Sequence, residues 1–288
     1  MTTTMRASRS NKGFTIVELI VAIVISGIIA AFIGLFITTP VDNYFAQSRR
    51  AELVVESGLI QRNIDSDIRN AVPNSIRVIN SGTVKIIELL YAVDVARYRE
   101  AGTSQPPAAD DELDFSTTDN KFSTIGRFNK IALPCCAPGY RLVINQNQAA
   151  GQDAYRGDKS ITPSGTVVTI SNDVNKKISN VTLSAAFQFA STSPTRHVFL
   201  TNGPVAYVCD QNAHTIIRYA NYPVSSTIAG NRNSTTNIGT VSRDISTCNF
   251  GYTPSTSSRA DLVSAEVQLQ RNGEVMPVFI QSAVENMP

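Results

Sequence analysis

Gly13-Phe14-Thr15-Ile16-Val17-Glu18-Leu19 opens an uncharged apolar run that continues from Leu19 to Ile37, and a short basic leader with Arg6, Arg9 and Lys12 precedes it. This stretch decides the architecture. About 20 apolar residues cross a bilayer core of ~30 Å, so the run is long enough to span. The leader carries cations and no acid, which orients it toward the cytoplasm. A cleaved secretory signal would have an apolar core of roughly 7–15 residues with a small-x-small cleavage site beyond it. This run is longer, and no such site follows. A plain signal anchor leaves Gly13 and Glu18 unexplained. An acid at the margin of an apolar helix is costly, and such a group marks a functional position whose partner should be named.

Inside the run, Gly27, Ala30, Ala31 and Gly34 form small-xxx-small pairs, Gly27 with Ala31 and Ala30 with Gly34. Such pairs allow close helix–helix approach, although Gly and Ala are common in membrane helices in any case. Thr38-Thr39-Pro40 interrupts the pattern, and Pro40 predicts a kink or local unwinding. Past Pro40 the pattern turns amphipathic. Leu53, Ile60, Ile64 and Ile68 share one helical face, while Arg49, Arg50, Glu52, Glu56, Arg62, Asp65 and Arg69 populate the rest. Asp65 and Arg69 make a favourable i,i+4 pair, and the charges around Arg49 read as a solvated face. Pro73 ends the element and biases Val72 toward extended backbone. A helix from Phe14 to about Asn70 would reach on the order of 80 Å.

From about Asn74 onward the chain is long enough to bury a sizeable core as one domain. It is rich in Ser, Thr, Asn and Val and has no Trp. Val and Thr favour strands, and Ser and Asn favour the turns between them. Strand-like runs are Ser75–Ile79, Val84–Leu90, Arg141–Ile144, Thr166–Ile170, His197–Leu200, Pro204–Cys209, Thr215–Tyr219, Leu262–Gln270 and Glu274–Gln281. The last two flank Asn272-Gly273, a strong hairpin signal. Gln211 to Ala213 turns the pair before it. Ala101 to Asp114, with Pro106-Pro107, and Ser225 to Asn237 read as irregular surface loops. The fold class is α+β, a long N-terminal hydrophobic and amphipathic helix packed on an antiparallel β-sheet domain. A net charge of +2, with no basic stripe interleaved with aromatics, gives no support to nucleic-acid binding.

Cys135, Cys136, Cys209 and Cys248 all follow the apolar helix and, with the leader cytoplasmic, would face an oxidising compartment. Three connectivities are possible. A Cys209–Cys248 bridge would close a loop of ~40 residues and add about 4 kcal/mol, but it leaves a vicinal Cys135–Cys136 bridge or two free thiols. Cross-pairing avoids that, and the sequence does not choose. The spacings are not those of a zinc site, and no metal is expected. His197 and His214 stand without a nucleophile-and-acid arrangement. The acidic stretch Asp110-Asp111-Glu112-Leu113-Asp114 lacks the alternate spacing and turn glycine of a calcium loop and reads as solvated. Arg156-Gly157-Asp158 reads as a polar turn. No phosphate-binding loop, nucleophile elbow or metalloprotease helix is present, so neither enzymatic activity nor a cofactor is expected.

Gly13-Phe14-Thr15-Ile16-Val17-Glu18 before a long apolar helix resembles the class III signal of type IV pilins and type II secretion pseudopilins. The resemblance implies that prepilin peptidase cuts after Gly13 and that the new N-terminal Phe14 is methylated. It implies further that Glu18 pairs with the Phe14 amine of a neighbouring subunit in a filament core. The expected layout is a cleaved leader at 1–13, a transmembrane or filament-core helix at 14–39, an amphipathic helix at 40–72 and an exported domain at 73–288. Arg49-Arg50-Ala51-Glu52-Leu53-Val54, Asp67-Ile68-Arg69-Asn70-Ala71-Val72-Pro73-Asn74-Ser75-Ile76-Arg77, Pro204-Val205-Ala206-Tyr207-Val208-Cys209-Asp210 and the Asn272-Gly273-Glu274-Val275 ending are similar to MSHA-type and PilW-like minor pilins. That implies a low-abundance subunit of the inner membrane, its domain periplasmic, which meets other minor and major pilins at the assembly platform and primes a surface fibre. A large minor pseudopilin and a tip adhesin are the alternatives.

Overall fold

The helical spacing of Leu53, Ile60, Ile64 and Ile68 is realised in α1, Ile16–Arg69, in a computed structural model that describes residues 13–102, 111–173, 175–254 and 260–285. The Pro106-Pro107 loop and Asp110 lie outside these residues. The chain forms two units, Met1–Glu52 and Leu53–Pro288, and their boundary falls within α1. Pro40 does not unwind the helix as expected: helical structure is continuous from Ile16 to Arg69. A proline removes one backbone donor, which costs the bond to the Phe36 carbonyl and leaves the other turns to hold the helix. The helix ends at Arg69, short of Pro73, where the Val72 N–H leaves the helical pattern and donates to the Leu90 carbonyl at 2.8 Å.

Among the described residues of the second unit twelve strands follow: β1 (Arg77–Ile79), β2 (Val84–Tyr98), β3 (Asp119–Ile125), β4 (Arg141–Val143), β5 (Val168–Asp173), β6 (Ile178–Phe187), β7 (His197–Asp210), β8 (Thr215–Ala220), β9 (Ile238–Ser242), β10 (Ile245–Thr253), β11 (Leu262–Arg271) and β12 (Glu274–Ala283). They make two antiparallel sheets where one was expected. The larger runs β5-β6-β3-β2-β7-β8-β9, with β1 on β2 and β4 on β7, and the smaller is β10-β11-β12. Asn272 and Gly273, at φ 49° and 84°, turn β11 into β12, as the sequence predicts.

The helical stripe meets both sheets. Leu53, Ile60, Ile64 and Ile68 are at most 1% exposed, and they share a cluster with Ile87, Leu89 and Tyr207 of the larger sheet and Phe250, Val267 and Ile280 of the smaller. Each such side chain contributes about 1.5–3 kcal/mol on burial. A second cluster gathers Tyr98, Phe122, Leu142, Ile170, Val181 and Leu200 from β2 to β7. Strands β2 and β7 therefore line two cores, which explains their length of 15 and 14 residues. The expected break between His197–Leu200 and Pro204–Cys209 is a bulge instead: Gly203 has φ +123°, and a Cβ there would lie 2.7 Å from the Tyr222 carbonyl oxygen. Strands β3, β6, β9 and β10 were not expected, because their Asn, Ser and Gly content imitates turn chemistry. The Ser225–Asn237 loop holds only a 3-10 turn at Arg232–Ser234.

The helix is also tied to the last strand. Ser282 Oγ donates to Asp65 Oδ1 at 2.6 Å, Arg69 Nε donates to Asp65 Oδ2 at 2.8 Å, and Arg69 pairs with Glu285. Burial alone would raise the pKa of Asp65, but the Ser282 hydroxyl and Arg69 outweigh it and hold the carboxyl below its ordinary 3.8.

Two predictions follow from this packing, both for the detergent-solubilised chain. Ile64→Ala should cost about 2–5 kcal/mol in urea unfolding, whereas Val55→Ala, on the exposed face, should stay within about 0.5 kcal/mol. A depressed carboxylate contributes stability above its unfolded pKa and loses it as pH falls through the folded pKa. Unfolding midpoints measured between about pH 2 and 6 should therefore fall below the ordinary 3.8, and Asp65→Asn should flatten that part of the profile.

Candidate functional site

Thr15 and Glu18 close a reciprocal cap at the start of α1. The Glu18 N–H donates to Thr15 Oγ1 at 3.2 Å, and the Thr15 N–H donates to Glu18 Oε2 at 3.2 Å. Thr15 Oγ1 also donates to Oε2 at 3.3 Å. This Thr-x-x-Glu capping box satisfies two backbone donors that a helix start would leave open, and it is worth about 0.5–2 kcal/mol. The Thr15-Ile16-Val17-Glu18 spacing is itself the signature of this cap, a local role for the acid beside the intersubunit contact expected of it. Both local contacts fall on Oε2. Oε1 accepts no hydrogen bond from the described residues, so the same carboxylate can cap its own helix and still face a cation.

The apolar surface around this cap is bare. Phe14 is 80% exposed and Phe36 75%, with Ile20, Val24, Ile28 and Phe32 also open. Ile16–Gly34 is long and apolar enough to cross a membrane. Gly27, Ala31 and Gly34 lie on this exposed stretch, and a Cβ added at Gly27 or Gly34 would meet nothing within 4 Å. Only lipid or other helices can cover such a surface without exposing it to water.

The structure resolves the cysteine pairing that the sequence left open. Cys209 of β7 joins Cys248 of β10, and Cys135 joins Cys136. The first bridge links the two sheets inside the helix-facing core, where Cys209 is fully buried. The vicinal pair extends the β5 edge, since Cys135 N–H donates to the Ile170 carbonyl at 3.0 Å and Ile170 N–H returns a bond at 2.6 Å.

The remaining candidates are held by local bonds. His197 Nδ1 lies 3.0 Å from Thr195 Oγ1, and His214 Nδ1 lies 2.7 Å from the Ile245 carbonyl oxygen. Asp114 accepts from Ser116 N–H at 2.7 Å, Ser116 Oγ at 2.6 Å and Thr117 Oγ1 at 2.9 Å, and these bonds lower its pKa. Asp158 Oδ2 accepts the Gly151 and Asp153 N–H groups, so Arg156-Gly157-Asp158 is the polar turn expected.

Two buried ionic clusters were missed. Asp67 accepts Tyr207 Oη at 2.6 Å and two bonds from Arg218, at 2.6 and 3.1 Å, which ties α1 to β7 and β8. Burial, followed by the Asp67 charge, pushes the Tyr207 phenol up. Glu88 is fully buried, and it pairs with Arg77 and accepts Tyr222 Oη at 2.7 Å and Ala229 N–H at 3.0 Å. Arg77 also donates to the Ser225 and Ser226 carbonyls and stacks 3.4 Å from the Tyr155 ring centre. Arg77 and Glu88 sit in separate strand-like runs, and only their antiparallel pairing in β1 and β2 brings them opposite each other.

A family model of the prokaryotic N-terminal methylation motif matches residues 8–34. No curated protein and no solved structure matches the chain. The matched residues hold Gly13, Phe14 and the capped Glu18, and this prepilin-type motif implies processing by prepilin peptidase and assembly with other pilins. With the exposed apolar helix it points to a membrane-anchored, pilus-associated protein of the pilin or pseudopilin type. The α+β layout, an N-terminal apolar helix joined to a large antiparallel domain, fits that type.

The two disulfides should differ in weight. Removing the 39-residue link by Cys209→Ala with Cys248→Ala should cost roughly 2–4 kcal/mol, because it frees a long loop in the unfolded chain. Cys135→Ser with Cys136→Ser closes almost no loop and should cost much less by the same chain-entropy argument. Denaturant midpoints of the two double variants check the order.

Proposed function

We propose that the chain is a minor type IV pilin of the MSHA type, similar to MshO and the PilW-like minor pilins. It is held in the inner membrane by α1, with the domain periplasmic, until it joins other minor and major pilins at the assembly platform. There it primes the filament and stays at its tip, supporting surface attachment. The domain is a structural body without catalytic activity or cofactor. The observation that carries this reading is a single carboxylate, Glu18, placed by its cap at the mouth of a wholly exposed apolar helix inside the methylation motif. Cleavage after Gly13 would create a cation at Phe14, and a neighbour's amine against Oε1 would remove two unpaired charges together. A large domain on such a helix favours a minor subunit over a major one.

Mass spectrometry of the mature chain should find methylated Phe14 as its first residue. The cap makes a sharper genetic test possible. Glutamine serves in a capping box as glutamate does, but it carries no charge. Both Glu18→Gln and Glu18→Ala should insert in the membrane normally and fail to enter filaments or co-purify with partner pilins. If Glu18→Gln assembles like the wild type, Glu18 is a cap only and the charge pair is wrong. A deletion strain should lose piliation; lost protein export with intact pili would move the chain to the pseudopilins of type II secretion.

A further inference from the structure

A cleft of about 760 Å³ lies in the second unit, between the β4–β7 ladder, the 3-10 turn Ala154–Arg156 and the segment that follows β8. Its size is that of small-molecule sites. Among the described residues, the charged side chains that line it are Arg141 and Arg156, with no acid. Arg156 is neutralised by Asp153 at 3.4 Å. Arg141 has no such counter-ion: its Nε donates to the Thr162 carbonyl, and its terminal nitrogens have no partner among the described residues. Burial draws its pKa down to about 10, which still leaves it a cation at neutral pH. One further lining residue carries an orphan: Asn202 Oδ1 is buried and makes no hydrogen bond among the described residues.

We propose that this cleft binds the carboxylate-bearing sugar unit of an acidic glycan, with Arg141 holding the carboxylate and Asn202 accepting a sugar hydroxyl. A guanidinium with its fork free fits a planar carboxylate in bidentate fashion. The orphan amide oxygen calls for a donor, and a sugar ring supplies hydroxyl donors on every side. Ser164, Ser225 and backbone groups around the rim suit a hydroxylated ligand better than an apolar one. Arg141 stands opposite Thr201 in the ladder, which brings its side of the cleft beside Asn202. The opposite wall is fixed in advance. Gly203 at φ +123° lets β7 approach the Tyr222 backbone, and the Arg77–Glu88 pair anchors Ser225, Ser226 and Ala229. A preformed wall spares the ligand an ordering cost. The site lies wholly within the second unit and does not depend on the assembly reading.

The test uses the full chain in detergent, titrated with galacturonic acid oligomers and with N-acetylneuraminic acid, each beside its uncharged methyl ester. At least one acid should bind below about 10 mM, weaken with salt, and exceed its ester by at least about tenfold. Arg141→Lys keeps the charge and loses the fork, and it should weaken binding by about tenfold or more. On the wild-type chain, phenylglyoxal should modify Arg141, and the bound acid should protect it while leaving the helix residue Arg62 unprotected. The proposal is overturned if neither acid outbinds its ester, if Arg141→Lys binds undiminished, or if Arg141 is unprotected at saturation. The protection experiment decides the matter even if the variant does not fold.

Discussion

The burial of four aliphatic side chains on one helix, Leu53, Ile60, Ile64 and Ile68, organises everything beyond the apolar segment. The helix carries no second chance to hide that stripe, because its other face is charged or open to solvent. One sheet of ordinary width covers a helix from one side. Here the larger sheet supplies β2, β7 and β8, the smaller supplies β10, β11 and β12, and the stripe lies in the cluster they form together. The Cys209–Cys248 link spans that same junction. The same α1 that needs an apolar surrounding at its start thus forms part of the packed core of the second unit at its end.

The ionic clusters give the domain a definite arrangement where apolar packing alone would tolerate shifts. Asp67 can satisfy Tyr207 and Arg218 only if β7 and β8 stand at one height along the helix. Glu88 likewise ties β1, β2 and the loop after β8 to a single arrangement. Breaking a buried pair by removing one partner leaves an uncompensated charge and is costly, which makes these contacts demanding of geometry.

Much of the helix and of the terminal hairpin was legible in the residues. The i, i+4 spacing of Ile60, Ile64 and Ile68 and the Asn272-Gly273 turn are local signals, and local signals survive in a sequence. The Thr15–Glu18 cap was equally local and equally readable. Strand β6, with Ser179, Asn180 and Ser184, was hidden because its polar residues find partners across the sheet: Asn180 meets Ser123, and Ser179 meets Asn172. The length of β7 was hidden for a different reason. A strand buried on both faces loses the alternation that marks a strand, and a central Asn202-Gly203 looks like a turn when it is a bulge. The Arg141 cleft could not be read from the sequence, since its residues come together only through the β4–β7 pairing.

The order of elements along the chain sets the timing of folding. Val263, Val267, Leu269, Val278 and Ile280, which help to cover the helical stripe, come from β11 and β12, which are made after β1 to β10. Asp65 and Arg69 likewise wait for Ser282 and Glu285. An emerging chain therefore carries its stripe only partly covered, by β2, β7, β8 and β10, until β11 and β12 have been added. Through that interval part of an apolar face stays open to solvent, and the helix becomes a finished surface only when the β11–β12 hairpin docks.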